Sequence, residues 1–233
     1  MIAFTQYQFR NYFKSYQFIP PILFFVIWII IQYLYKGQPI LSSYASSSIG
    51  LLIISCWLTI SIWNLESLNE KYLLFTQLES KLLFLISKWF FISLIHLMLI
   101  LLSLFYPLIL NRFSEDITLN QYIIALTLHI VVSIIGMLIS TLIHNINFLS
   151  YKYTFLFIAL IIIVSLSRPS LVQSYSLLNY ILWAVPPIGD LITLFNSDTP
   201  DNAMLLIKTF TIFIYIIILI GLNIMIFTKS DQK

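Results

Sequence analysis

The sequence predicts an all-α integral membrane protein: an amphipathic N-terminal interfacial helix, six transmembrane helices, and re-entrant outer helices before the last span. Three observations carry this expectation. Of 233 residues, 60% are hydrophobic and only 9% charged, with a mean hydropathy of +0.97. A soluble domain is about 25% charged, so the solvent left for this chain is lipid. Six apolar runs follow one another, most of them near the roughly 20 residues that cross a bilayer as a helix. The lysines and arginines sort to alternate ends of those runs.

Residues 1–18 read as the interfacial helix. At about 100° per residue, Ile2, Phe9, Tyr12, Phe13 and Tyr16 share one face and Gln6, Arg10, Lys14 and Gln17 the other. Phe4, Tyr7 and Phe18 fall on the polar side. The segment does not read as a cleavable signal peptide, because its first residues are polar and aromatic rather than a short apolar core. Pro20 and Pro21 then open a new helix. The spans are expected at Pro21–Tyr35, Ile49–Leu65, Trp89–Leu110, Gln121–Ile143, Phe148–Leu166 and Met204–Phe227, with Ser42–Ser48 as a loop. Lys152 must snorkel toward the headgroups.

Leu171–Phe195 is apolar enough to suggest a seventh span. Pro186, Pro187 and Gly189 interrupt it, and Asp190 in lipid would cost about 2.5–3.5 kcal/mol. The expectation is two short helices that dip into the outer leaflet and return, within an outer region at 168–203. Their backbone must be covered by protein or line a cavity. Asp190 is expected to be paired or hydrated. Trp183, Pro186, Pro187 and Asp190 are the candidate outer gate.

With the N-terminus in the cytoplasm, Arg10, Lys14, Lys71, Lys81, Lys88, Lys152, Lys229 and Lys233 fall inside, and Lys36, Arg112, Arg168 and Lys208 outside. That is the direction of the positive-inside rule. A multi-pass protein of the plasma membrane with both termini cytoplasmic is expected.

Several chemistries are absent from the sequence. Five glycines and no Gly-rich phosphate motif leave no nucleotide loop. His96, His129 and His144 stand at no ligand spacing, and His96 and His129 read as helix–helix hydrogen-bond partners. Glu66 and Glu70, one helical turn apart beside Lys71, read as a solvated helix end rather than a catalytic pair. Cys56 is a packing residue. A net charge of +3 argues for no nucleic acid. No enzyme, cofactor or metal is expected in this chain.

The segment 66–88 mixes charges with Tyr72, Leu74, Phe75 and Leu78. On a water-facing loop these residues suggest either docking to a partner protein or a second interfacial helix. Glu70, then Leu73-Leu74, then Ser80-Lys81, then Lys88 at the opening of the third span resembles the first cytoplasmic loop of ABC-2 type permease subunits of ATP-binding-cassette transporters. Lys71-Tyr72 stands where that family often has Gly-Thr, and Glu79 where it often has Pro. The chain's layout is similar too, and its isoleucine-rich style resembles permeases that export amphipathic or antimicrobial peptides, including the phenol-soluble modulin exporters.

The resemblance implies that Glu70, Lys71, Tyr72, Leu74, Phe75, Leu78, Glu79, Ser80 and Lys81 couple the permease to a separate ABC ATPase subunit that holds ATP and magnesium. It implies a second permease copy, identical or different, around an amphipathic peptide substrate. A permease for lantibiotic or drug resistance, or a non-transporting immunity or sensor protein, is the alternative.

Overall fold

The computed structural model describes residues 2–78, 80–146, 151–196 and 202–229. Among them the chain forms ten α-helices and two 3-10 turns, with one isolated bridge between Gln38 and Phe113 and no strand. Five helices are long and apolar enough to cross a membrane, and the number rises to seven if each of two sharply bent helix pairs counts as one span.

The central helix is α3, Ile40–Trp63. It begins nine residues before the expected span, and Ser42–Ser48 is helix rather than loop. The reason is local. Pro39 in extended conformation starts the helix. The Ser43, Ser47 and Ser48 hydroxyls then donate to the carbonyls of Ile40, Tyr44 and Ala45, three residues back. A hydroxyl closed on its own turn can be buried, as these three are. Helix α6, Leu119–His144, packs closely on α3. A Cβ at Gly136 would lie 2.9 Å from the Ser55 Cβ and 3.3 Å from the Leu52 carbonyl oxygen. Small residues that let helix backbones approach drive association in lipid, where no hydrophobic force acts between helices.

Helix α1, Ile2–Ser15, and α2, Ile19–Gln32, form one bent pair with an angle of 80°. Tyr16 takes a left-handed φ of 58° at the bend, and Pro20 and Pro21 fit the first turn of α2. The 14 residues of α2 rise only about 21 Å, so α2 is shorter than the span expected there. Helix α1 is also rotated from its expected face. Phe4, Thr5, Gln8 and Tyr12 are buried, whereas Phe13 and Tyr16 are exposed. Ring contacts explain part of this: Phe4 meets Phe84 at 5.3 Å, and Phe9 meets Phe91 at 4.9 Å. A buried acid that accepts from Gln8 explains the rest.

After α3 comes the short α4, Leu68–Gln77, and then α5, Lys81–Ile109. Helix α5 starts eight residues before the expected third span, because the Ser80 hydroxyl accepts from the Leu83 N–H and caps it. A Thr118–Gln121 capping box starts α6. Helix α7, Tyr151–Ser174, runs through Pro169 and past the expected end at Leu166, so Arg168 stands on a helix. Phe148, the expected start of that span, lies outside the described residues.

Helix α8, Leu178–Ile181, with its 3-10 turn to Ala184, is bent by 105° from α9, Ile188–Ile192, and the 3-10 turn that follows. Gly189 packs on α7 so tightly that a Cβ would come within 2.5 Å of the Leu166 carbonyl oxygen. Helix α10, Asn202–Lys229, closes the bundle; its Asn223 amide donates to the Leu138 carbonyl of α6.

Candidate functional site

Two polar clusters lie at opposite ends of the bundle, and α4 stands over one of them. Helix α4 is a complete local unit. Ser67 accepts from the Glu70 N–H and the Glu70 carboxylate accepts from the Ser67 N–H, a reciprocal capping box. Glu70 is exposed, as expected of a solvated helix end.

The apolar ridge expected on α4 is split between two faces. Phe75 turns inward, 5.0 Å from the Phe84 ring and 6.1 Å from the Phe227 ring. Tyr72 and Leu73 remain exposed, at 50% and 63%. Leu74 and Leu78 are half-buried. A groove of about 580 Å³ runs between α1 and α4, lined by Phe4, Tyr7, Glu70, Leu73, Leu74, Gln77 and Leu78. Ser80 caps α5 and Lys81 is its first residue, so both belong to the long helix rather than to the loop helix. Glu79 lies outside the described residues.

Beneath α4, Glu66 is buried and ion-paired with the fully buried Lys88. This corrects the expectation that Glu66 belongs to a solvated helix end. Its other oxygen accepts from Gln8 at 2.5 Å, which turns the polar Gln8 inward and rotates α1. The Lys88 ammonium lies 4.6 Å from the centre of the Trp63 ring, and Lys71 reaches the same ring at 6.0 Å. Burial lowers the Lys71 pKa and Glu66 opposes the shift. Trp63 also meets His144 at 5.4 Å and Phe227 at 5.7 Å. Six helices thus converge on one acid and one cation.

The four outer candidates come together at the other end. Asp190 pairs with Arg168 on α7, and the Lys208 ammonium lies 3.7 Å from it. Arg168 also donates to Asn179 at 3.0 Å. The Pro186 carbonyl accepts from Ser165 at 2.5 Å, and the Trp183 carbonyl accepts from Tyr215. Pro186 and Pro187 are buried, while Trp183 is exposed. Arg168 was sorted to this side by charge alone; nothing in the sequence names it as the partner of Asp190.

The two intramembrane histidines differ. His129 joins three helices: its Nδ1 faces the Ala125 carbonyl at 2.8 Å, and its Nε2 lies 3.0 Å from Ser47 Oγ and 2.9 Å from Ser103 Oγ. A carbonyl only accepts, so the proton sits on Nδ1 and the serine side accepts no ring proton. His96 is buried on α5 with Nε2 facing no partner. Among the described residues, no three His, Cys, Asp or Glu side chains gather as a metal would need.

Sequence reasoning missed the Gln8–Glu66–Lys88 cluster because its bonded pairs lie 58 and 22 positions apart. The usable signal was Lys88 itself, a lone cation in the apolar stretch Leu82–Phe91, which requires an acid from elsewhere. No family model matches the chain, and no curated protein and no solved structure matches it.

Proposed function

We propose that this chain is the permease subunit of an ATP-driven exporter of amphipathic or antimicrobial peptides, driven by a separate ABC ATPase subunit. In this reading α1 lies in the interface at the 80° bend, α2 is a short first span met by local bilayer thinning, and α3, α5, α6, α7 and α10 complete six. The segment 178–195 is the re-entrant pair, and both termini are in the cytoplasm of a plasma-membrane protein. Two permease copies enclose the path. ATP and magnesium belong to the ATPase.

One observation carries the reading: α4 is a capped helix outside the long spans, with Tyr72 and Leu73 exposed beside an open groove. An exposed aromatic and aliphatic pair beside a concave surface is a protein-docking feature. The Glu70, Leu73-Leu74, Ser80-Lys81 and Lys88 resemblance supplies the partner's class. Closure of the ATPase dimer on ATP would displace α4, and the spans would rock between two arrangements.

The test is to ask whether a neighbouring gene encodes an ABC ATPase, to co-express that ATPase with this chain, and to follow purification through a tag on the permease and ATP turnover in nanodiscs. Co-elution and peptide-stimulated turnover are expected. A permease that elutes alone and leaves ATP turnover unchanged would remove the transporter reading.

A further inference from the structure

The Glu66–Lys88 pair poses an energetic question. Taking both charges out of water costs more than an apolar pair of the same volume would, so the pair is poorly explained as a source of stability. What it supplies is geometry. Glu66 divides its oxygens, Oε1 to Gln8 of α1 and Oε2 to Lys88 of α5, and an apolar side chain would not distinguish one register of these helices from another. Glu66 also sits in the link between the end of α3 at Trp63 and the start of α4 at Leu68. Helix α4 is otherwise held to the bundle by Phe75 against Phe84 and Phe227, by Lys71 over Trp63, and by Leu74 and Leu78 packed against the core.

We infer that the buried Glu66–Lys88 pair is a strut that locks the α3–α4 link onto α5, so that a load on α4 moves α5 instead of flexing the link. With the pair in place, the link is pinned at its midpoint and α4 has no pivot. Without it, Asn64–Ser67 becomes a hinge and displacement of α4 dissipates there. Lys88 lies two turns into a helix that runs from Lys81 to Ile109, so the force enters near one end of a long span and is carried along it. Glu66, Lys88 and Gln8 are positioning residues: they act through α4 and are not exposed to a partner. The inference rests on the permease reading only for the source of the load.

The test uses the full chain in nanodiscs, first without an ATPase. Glu66→Gln with Lys88→Met removes both charges at nearly constant volume, so no ion is left buried and alone. Amide exchange across Leu68–Gln77 should rise by about tenfold or more, as expected for a segment released into local opening, while exchange within α6 stays unchanged. The swap of Glu66→Lys with Lys88→Glu should return exchange toward the parent, which a volume effect would not do. Parent-like exchange across α4 in the neutral double variant would overturn the strut. With the ATPase added, the neutral variant should still bind it but lose stimulation of turnover. If the parent binds no ATPase, the permease reading falls and the exchange result still decides the strut.

Discussion

Gly136 faces Ser55 across the α3–α6 contact so closely that a methyl group at position 136 would sit 2.9 Å from the Ser55 Cβ. Gly136→Ala should therefore push the two central helices apart and cost about 1–3 kcal/mol, the usual range for overpacking. Gly221 on α10 is the control, since a Cβ there meets nothing within 4 Å. Thermal unfolding in detergent should show a lower midpoint for Gly136→Ala and an unchanged or higher one for Gly221→Ala. Equal midpoints would mean that α3 and α6 do not pack this closely.

Asp190→Leu should insert into the membrane like the parent but fold less stably. Arg168 would keep its buried position and lose its acid. Breaking one side of a buried pair costs about 3–5 kcal/mol. The side chains here keep 11% and 14% exposure, so the low end applies. Arg168→Leu combined with Asp190→Leu should recover most of the loss. If the double variant is no better than the single one, the two residues act independently.

Tyr72→Ala and Leu73→Ala should weaken ATPase binding without lowering thermal stability, by about 1–2 kcal/mol each if they are central to the contact. Phe75→Ala should do the reverse. Its ring faces Phe84 and Phe227, and truncation of a packed phenylalanine costs up to about 3–5 kcal/mol, less here because Phe75 is half-buried. Pull-down and unfolding midpoints on the same preparations separate the two faces. Loss of binding on Phe75→Ala alone, at parental stability, would place the contact on the wrong side of α4.

Asn69→Cys and Ser114→Cys should label from opposite sides of the membrane. Both positions are exposed, and they flank α5, whose 29 residues rise about 43 Å against a hydrocarbon core of about 30 Å. A Cys56→Ser background removes the native thiol, which is buried and should not react in the parent. An impermeant maleimide added outside should modify Ser114→Cys only. Modification of both sites from outside would end the six-span topology.

Much of the architecture was legible in the sequence because lipid allows few solutions. The run Gln121–Ile143 lies within α6, and Trp89–Leu110 overlies α5 up to its C-cap at Leu110, since an uncharged apolar stretch of that length has no other stable form in a bilayer. The break at Pro186-Pro187 was legible for the same reason. The boundaries were not. Ser42–Ser48 reads as loop by composition and is helix because its hydroxyls bond back to the turn before them. Arg168 looks like a chain exit and stands on a helix, where Asp190 pairs with its charge and Asn179 accepts a hydrogen bond from it. The face of α1 was misread because periodicity alone cannot foresee that the buried carboxylate of Glu66 draws Gln8 inward. Two of these misses, Arg168 and Gln8, are polar side chains whose partners lie far away in sequence, whereas the serines bond within their own helix.

The serines of α3 bear on how the protein is made. Ser43, Ser47, Ser48, Ser55 and Thr59 all donate to carbonyls of their own helix. A newly synthesised α3 therefore enters the bilayer with these hydroxyls already satisfied. Its chief neighbour is made much later, since Cys56 meets Gly136 across 80 positions of chain. The helix does not need α6 in order to leave the insertion machinery. It can wait in lipid as an ordinary span, and its later docking exchanges acyl chains for glycine and serine surface without breaking a hydrogen bond.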